Sequence, residues 1–282
     1  MINKYFIVSD VHSYYDIMIE ALDNAGYDAN NPNHYLVFNG DIFDRGNGTL
    51  ELYNLTRINR TDNIILIRGN HEQLMTECIN RGEFFSHDWS NGTARSICEL
   101  AMNRKFADNR ELYEQVPDSF TCCQMVKEMG VVDWIESDNW VNYYEIGPYI
   151  IVHSFIPLNV HGMRPFDAFY RSSNYYGFVY DLFEYMDDWR TEATPRDWEA
   201  CTWGNPYSLY KKGWFNHEEE NGKYIITGHW TVCDYWNEWG KYDAFQDGHF
   251  IGLDATTAAS GRINVAVITE NTDTNEYNLE LK

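Results

Sequence analysis

Basic side chains are scarce in this chain. It has 21 Lys and Arg against 43 Asp and Glu in 282 residues, for a formal net charge of −22. Affinity for a nucleic-acid backbone comes largely from basic groups that displace counterions, and anionic membrane attracts the same groups. Neither a free polynucleotide nor a membrane surface is therefore expected as a partner. Long apolar runs are also missing, and none approaches the roughly 20 residues a membrane helix needs. The amino-terminal run Tyr5-Phe6-Ile7-Val8 is too short for a secretion signal. The six cysteines, at 78, 98, 122, 123, 201 and 233, contain no Cys-x-x-Cys pair. Structural zinc and a disulfide framework are thus not expected, and a reducing cytoplasm is the simplest setting. There is no internal repeat and no low-complexity linker.

What the chain does have is apolar and aromatic mass: 44% hydrophobic and 16% aromatic residues, including 10 Trp and 21 Tyr. That is far from a disordered composition. Hydrophobic runs at 4–9, 34–39 and 63–67 read as strands. Helical patterns follow them at Asp16–Ala25, Leu50–Ile58 and Glu72–Ile79. Such alternation implies parallel strands. Residues 92–107 and 121–136 read as helices separated at Pro117, and 143–146 with 149–152 as a hairpin across Gly147-Pro148. Strand patterns return at 223–228, 249–253 and 262–269, and the polar tail from Asn271 is expected to be peripheral. We expect a single domain over 1–282. Its aromatic-rich insertion at about 156–222 reads as short helices and loops over a cleft, or alternatively as an ordinary packed helical layer.

Polar residues follow five of the hydrophobic runs. They are Asp10 and His12; Gly40, Asp41, Asp44, Arg45 and Gly46; Arg68, Gly69, Asn70, His71 and Glu72; His153; and Gly228 with His229. Open α/β sheets place ligand sites beyond the carboxyl ends of their strands, so these groups can converge in one cleft. Three aspartates brought together would repel one another and be costly to desolvate without a counter-charge. Divalent metal removes that cost. A lone strand-end histidine is more often structural than a ligand; the weight lies in the ordered set.

Asp10-Val-His12, Gly40-Asp41-x-x-Asp44-Arg45-Gly46 and Arg68-Gly69-Asn70-His71-Glu72, with the later His153 and Gly228-His229, resemble the calcineurin-like metallophosphoesterases. The likeness is greatest to the phosphoprotein phosphatase branch. It implies an α/β sandwich of two mixed β-sheets flanked by helices. It also implies two divalent ions, Mn²⁺ first with Fe or Zn as alternatives. One would take Asp10, His12 and Asp41; the other would share Asp41 and add Asn70, His153 and His229. His71 is then the expected general acid, polarised by Asp44. Arg45, Asn70 and Arg68 are the expected phosphate contacts, although Arg68 could instead pair with a carboxylate. Asp254 is expected to orient a ligand histidine or to hold a turn.

The likeness implies hydrolysis of phosphomonoesters, on phosphorylated protein or a small phosphoester. Symmetrical dinucleoside polyphosphate hydrolysis and a weakly catalytic phosphoprotein-binding module are the alternatives. The chain departs from the family pattern in four places. Thr231 stands where the wider superfamily often has a further histidine. Ser13 replaces a common Gly, and Ser154-Phe155 replaces small residues after His153. Asn205, after Trp203-Gly204, stands where this branch brings a second phosphate-binding arginine, leaving Arg196, Arg164 or Arg171 as surrogates. Trp230 reads as cleft wall or core, and Glu218-Glu219-Glu220 as a solvated face.

Overall fold

The computed structural model describes residues 1–172, 177–215, 220 and 222–282. The first half alternates as the hydrophobic periodicity requires: β1 (Ile2–Val8), α1 (Tyr15–Ala25), β2 (His34–Asn39), α2 (Thr49–Tyr53), β3 (Ile64–Ile67) and α3 (Asn70–Arg81). A helical run follows, comprising α4 (Ser86–Asn91), α5 (Thr93–Met102), α6 (Asn109–Gln115), α7 (Ser119–Glu128) and α8 (Val131–Ile135). The chain then forms β4 (Trp140–Val141), β5 (Tyr143–Ile146), β6 (Tyr149–Val152), β7 (Leu158–Val160), α9 (Pro165–Ser172), β8 (Phe183–Tyr185), α10 (Trp189–Glu192), α11 (Pro195–Cys201) and α12 (Pro206–Lys211). It closes with β9 (Tyr224–Thr227), α13 (Val232–Trp236), β10 (Phe245–Asp247), β11 (Phe250–Gly252), α14 (Thr257–Ser260), β12 (Val265–Asn271) and β13 (Glu276–Leu281).

Two mixed sheets result, of order β13-β12-β1-β2-β3-β4 and β10-β11-β9-β6-β5. β1 to β4 run parallel, and β12 pairs antiparallel with β1. β6, β9 and β11 are parallel. Each strand's two faces enter different cores. Tyr5, Ile7, Val37 and Ile67 meet Ile146, Ile151, Ile226 and Ile251 between the sheets. Phe6, Val8, Leu36, Phe38 and Leu66 pack outward against α1, α3, α5, α7 and α8. Ile150, Val152 and Ile225 pack outward against residues of the 156–222 stretch, including Phe169, Trp189 and Trp198. This is the α/β sandwich flanked by helices that the resemblance implied.

Two expectations differ from the structure. The tail from Asn271 is not merely peripheral: Glu276–Leu281 pairs along the whole of β12 and forms the sheet edge. Its burial alternates, so it carries the polar composition of a half-exposed edge strand. Glu218 and Glu219 lie outside the described residues, but Glu220 is no solvated face. It is 1% exposed and accepts from Arg190 and from the Trp189 indole at 2.7 Å.

Candidate metal centre

The strand ends bring the motif residues together through sharp turns. Asp10, His12, Ser13, Asp41, Asp44, Arg45 and His229 all have positive φ, between 47° and 77°. Non-glycine residues enter that region at a cost, and such strain gathers at functional sites. Gly69 and Gly228 permit close approaches to the aspartates. A Cβ on Gly69 would meet Asp41 Oδ1 at 2.2 Å, and one on Gly228 would meet Asp10 Oδ2 at 2.2 Å.

Asp41 lies at the centre. Potential ligand atoms of His12, Asp41 and His71 lie within 4.8 Å of one another, and so do those of Asp41, His153 and His229. Two clusters sharing one carboxylate are suited to a dinuclear centre. The hydrogen bonds test that fit. His12 Nδ1 lies 3.1 Å from Phe43 O, and His153 Nδ1 lies 2.9 Å from Asn39 O. A carbonyl only accepts, so each neutral ring carries its proton on Nδ1 and turns a bare Nε2 inward. His153 Nε2 then faces Asn70 Oδ1 at 3.1 Å and Asp41 Oδ1 at 3.4 Å. Three acceptor atoms converge with no proton between them. A cation satisfies all three, and mixed carboxylate, amide and imidazole donors suit Mn, Fe or Zn.

The electrostatics agree. Burial pushes the His229 imidazolium down to about 3, with His153 adding to the effect. Burial also holds His12 well below the usual range. Burial opposes the Asp41 carboxylate, but His153, His71, His12 and His229 outweigh it and keep Asp41 below the usual carboxylate range. Asp10 is raised well above that range by burial, then by the charges of Asp254 and Asp41.

Asp10 is set apart from the two clusters. Its carboxylate accepts from the His229 backbone N–H at 3.0 and 3.1 Å and from the Ser9 hydroxyl. His71 differs from the other histidines. Its Nδ1 lies 2.8 Å from Asp44 Oδ2, a carboxylate rather than a carbonyl. Burial works against the charged ring, but Asp41 and Asp44 together raise its pKa. Arg45 Nη2 is 3.5 Å from His71 Nε2, which places one guanidinium at the cluster.

All three guanidinium nitrogens of Arg68 are engaged within the protein. Its guanidinium donates to Ile135 O, Ser137 O and Asn142 Oδ1 at 2.9–3.1 Å, tying β3 to the turns around β4. Among the described residues it forms no ion pair with a carboxylate. Asp254 accepts from Thr256 N at 2.7 Å, the turn-holding role, and bonds no histidine among the described residues. Asn205 is buried and caps α12 by accepting from Ser208 N. Arg164 is bound to Asp167, and Arg196 and Arg171 are exposed with no contact to the clusters among the described residues. Trp230 packs partly buried against the outer core of the second sheet, with its ring 6.4 Å from His229.

Glu72 closes the third motif, and its role becomes plain only in the fold. Its buried carboxylate accepts from Gly69 N, Asp41 N and Ile42 N at 2.8–2.9 Å, knitting two metal loops together. Burial and the Asp41 charge push it up to about 7 against those three donors. Thr93 and Ser96, on α5, hold the Asp44 turn. Thr93 Oγ1 donates to Asp44 Oδ2 at 2.6 Å, and Ser96 Oγ accepts from Asp44 N at 3.0 Å. No local pattern marks either residue, because their partner lies about 50 residues away. A cavity of about 840 Å³ opens beside Gly69, lined by Arg68, Glu72, Trp140 and Trp198, but none of the expected metal ligands reaches it.

A profile of the calcineurin-like phosphoesterases matches residues 4–233. The chain belongs to the calcineurin-like phosphoesterase family. Over 124 residues this phosphoesterase is 29% identical to an asymmetrical bis(5'-nucleosyl)-tetraphosphatase, PrpE, of Halalkalibacterium halodurans. That match takes in 40% of this chain and 50% of the relative, so it spans about half the length of the curated protein. A protein serine/threonine phosphatase of Saccharomyces cerevisiae has a similar structure at TM-score 0.50 and 14% identity, covering 99% of this chain and 79% of that one. A metallophosphoesterase of Sphaerobacter thermophilus aligns at TM-score 0.39 and 16% identity, covering 99% and 86%. No helix among the described residues is long and apolar enough to cross a membrane.

Proposed function

We propose that the chain is a two-metal phosphoesterase that cleaves phosphoanhydride bonds of dinucleoside polyphosphates. Asp10, His12 and Asp41 would hold one ion; Asp41, Asn70, His153 and His229 would hold the other. Mn²⁺ is the first choice, with Fe or Zn as alternatives. When bound, two divalent ions supply Lewis acidity and a water activated near neutral pH. Arg45 binds a nonbridging phosphate oxygen through its fork of donors. His71, held by Asp44, donates a proton from Nε2 to the departing oxygen.

One observation carries the choice of substrate. Arg45 faces the clusters, whereas Asn205 is committed to capping α12. A terminal phosphomonoester concentrates two negative charges on one phosphoryl group, and a single arginine grips it poorly. An internal phosphate of a polyphosphate carries less charge per phosphorus. The partial identity to a bis(5'-nucleosyl)-tetraphosphatase supports the same substrate class. The His71–Asp44 pair favours a second reading, phosphoserine or phosphothreonine hydrolysis, because an alkoxide leaving group has the greater need of a proton.

A substrate panel at fixed metal and pH separates the two. We expect diadenosine tetraphosphate to have a higher kcat/KM than phosphoserine peptides, phosphothreonine peptides or p-nitrophenyl phosphate. Chromatography of the products gives the cleavage position, two ADP for symmetrical and ATP with AMP for asymmetrical cleavage. Faster turnover of the phosphopeptides would establish the second reading instead.

A further inference from the structure

We infer that Trp203, Phe166 and Tyr170 form a stacking surface for the nucleobase of the substrate, so that α9 and the 202–205 turn set specificity. This rests on the dinucleoside polyphosphate reading. The three rings form one cluster beside the metal centre, with Tyr170 also 6.2 Å from Trp203. Trp203 lies 6.4 Å from the His229 ring, Phe166 lies 5.6 Å from Trp203, and Tyr170 stacks on Phe166 at 5.8 Å and 10°. Phe166 and Tyr170, one helical turn apart on α9, are 39% and 49% exposed, while Ala168 and Phe169 on the same helix are fully buried. α9 thus anchors itself through one face and shows water an aromatic one.

The aromatic cluster is fixed to the metal residues by both ends of the turn that carries Trp203. The Trp203 indole donates to Gln73 Oε1 at 3.2 Å, two residues beyond His71. Ser154, which follows His153, donates to Gly204 O at 2.9 Å. A Cβ on Gly204 would meet Phe169 at 2.9 Å and Leu209 at 3.0 Å, so the turn packs closely on α9. Three departures from the family pattern therefore act together. Ser154 ties the turn down, Asn205 starts α12 directly after it, and the insertion supplies Phe166 and Tyr170. An aromatic wall stands where the phosphatase branch brings an arginine.

The chemistry of the aromatic cluster suits a neutral planar ring rather than another phosphate. Of the two arginines beside the rings, Arg164 is matched by Asp167 at 2.7 and 3.0 Å, and the charge of Arg171, next to Tyr170, also acts on Asp167. Stacking on exposed aromatics is tolerant of base identity. Discrimination among adenine, guanine and pyrimidine substrates should accordingly be slight.

The test uses the metal-loaded full chain and a fluorescent probe, di(ethenoadenosine) tetraphosphate. Phe166→Leu with Tyr170→Leu removes both rings while keeping apolar volume, and Ser154→Gly releases the turn without touching a ring. Metal content is measured for each variant. Stacking should quench the ethenoadenine fluorescence in the wild type. The double variant should lose that quenching and raise KM for diadenosine tetraphosphate about tenfold. The KM for inorganic tripolyphosphate should change much less, because it has no base. Ser154→Gly should show the same selective loss to a smaller degree. If the wild type hydrolyses diadenosine tetraphosphate, yet quenching and KM survive loss of both rings, the stacking assignment is wrong and the hydrolase reading stands. Equal losses for both substrates would also overturn it, pointing to general damage. A wild type that neither turns over nor quenches the dinucleotide overturns both.

Discussion

His71 and His12 sit ring to ring at 4.6 Å, yet opposite partners on their Nδ1 atoms divide their roles. Burial holds His12 neutral and the Phe43 carbonyl fixes its proton on Nδ1; the Asp41 and Asp44 carboxylates favour the protonated His71 ring. His71→Asn should therefore slow hydrolysis most where the leaving oxygen needs a proton. The loss should be about 10²–10⁴ on an alkyl phosphate, and smaller on p-nitrophenyl phosphate or a dinucleoside polyphosphate, whose leaving groups are weak bases. Equal losses at full metal content would make His71 a binding group. Glu72 offers a second test. Gln in its place has one accepting oxygen for three backbone donors, and its amide meets an N–H. Glu72→Gln should destabilise the protein by about 1–3 kcal/mol and weaken metal retention about 10–100-fold. Denaturant unfolding and metal titration check the two effects, and an unchanged metal affinity would confine Glu72 to folding.

At the level of elements, the first three strands and α3 were legible because each has a periodicity and a strand-end motif of its own. The hairpin of β5 and β6 was legible from Gly147-Pro148. β13 was not, because an edge strand with one wet face carries the composition of a tail. Nor were the contacts of Thr93, Ser96 and Gly92, which depend on how α5 packs rather than on any local pattern. Gly92 separates α4 from α5 with φ +89°, and a Cβ there would meet Arg45 N at 2.1 Å. Gly92→Ala should strain the turn and displace the Arg45 loop. We expect a loss of stability of roughly 1 kcal/mol or more and a raised KM with metal content intact. A wild-type KM would show that the loop absorbs the methyl group without moving Arg45. The 156–222 stretch was the least legible because its aromatics serve two ends: Trp189, Trp198 and Phe169 fill a core, while Phe166 and Tyr170 face water.

At the scale of the whole molecule, the surplus of acid leaves the metal centre as an unusual place where histidines gather. The pH response of the metal-free protein follows from their burial. His229 is held neutral down to about 3, against an ordinary value of 6.5. Below pH 6.5 the unfolded chain takes a proton that the folded site refuses, so this group's stabilisation falls as pH drops from 6.5 towards 3. Glu72, raised to about 7 from 4.5, acts in the other sense: its contribution is whole below 4.5 and is lost as pH rises towards 7. The two can be separated by mutation. In chelator, His229→Gln should lose less stability than the wild type between pH 7 and pH 5, measured by urea unfolding. Parallel curves would mean that His229 titrates normally.

The shared carboxylate of Asp41 is the point on which the centre depends, since both clusters contain it. Anomalous scattering from crystals of the Mn²⁺-loaded protein locates the ions directly. Two peaks roughly 3.5–4 Å apart, with Asp41 contacting both, are predicted. A single peak, or two peaks with Asp41 contacting at most one, would contradict the dinuclear site.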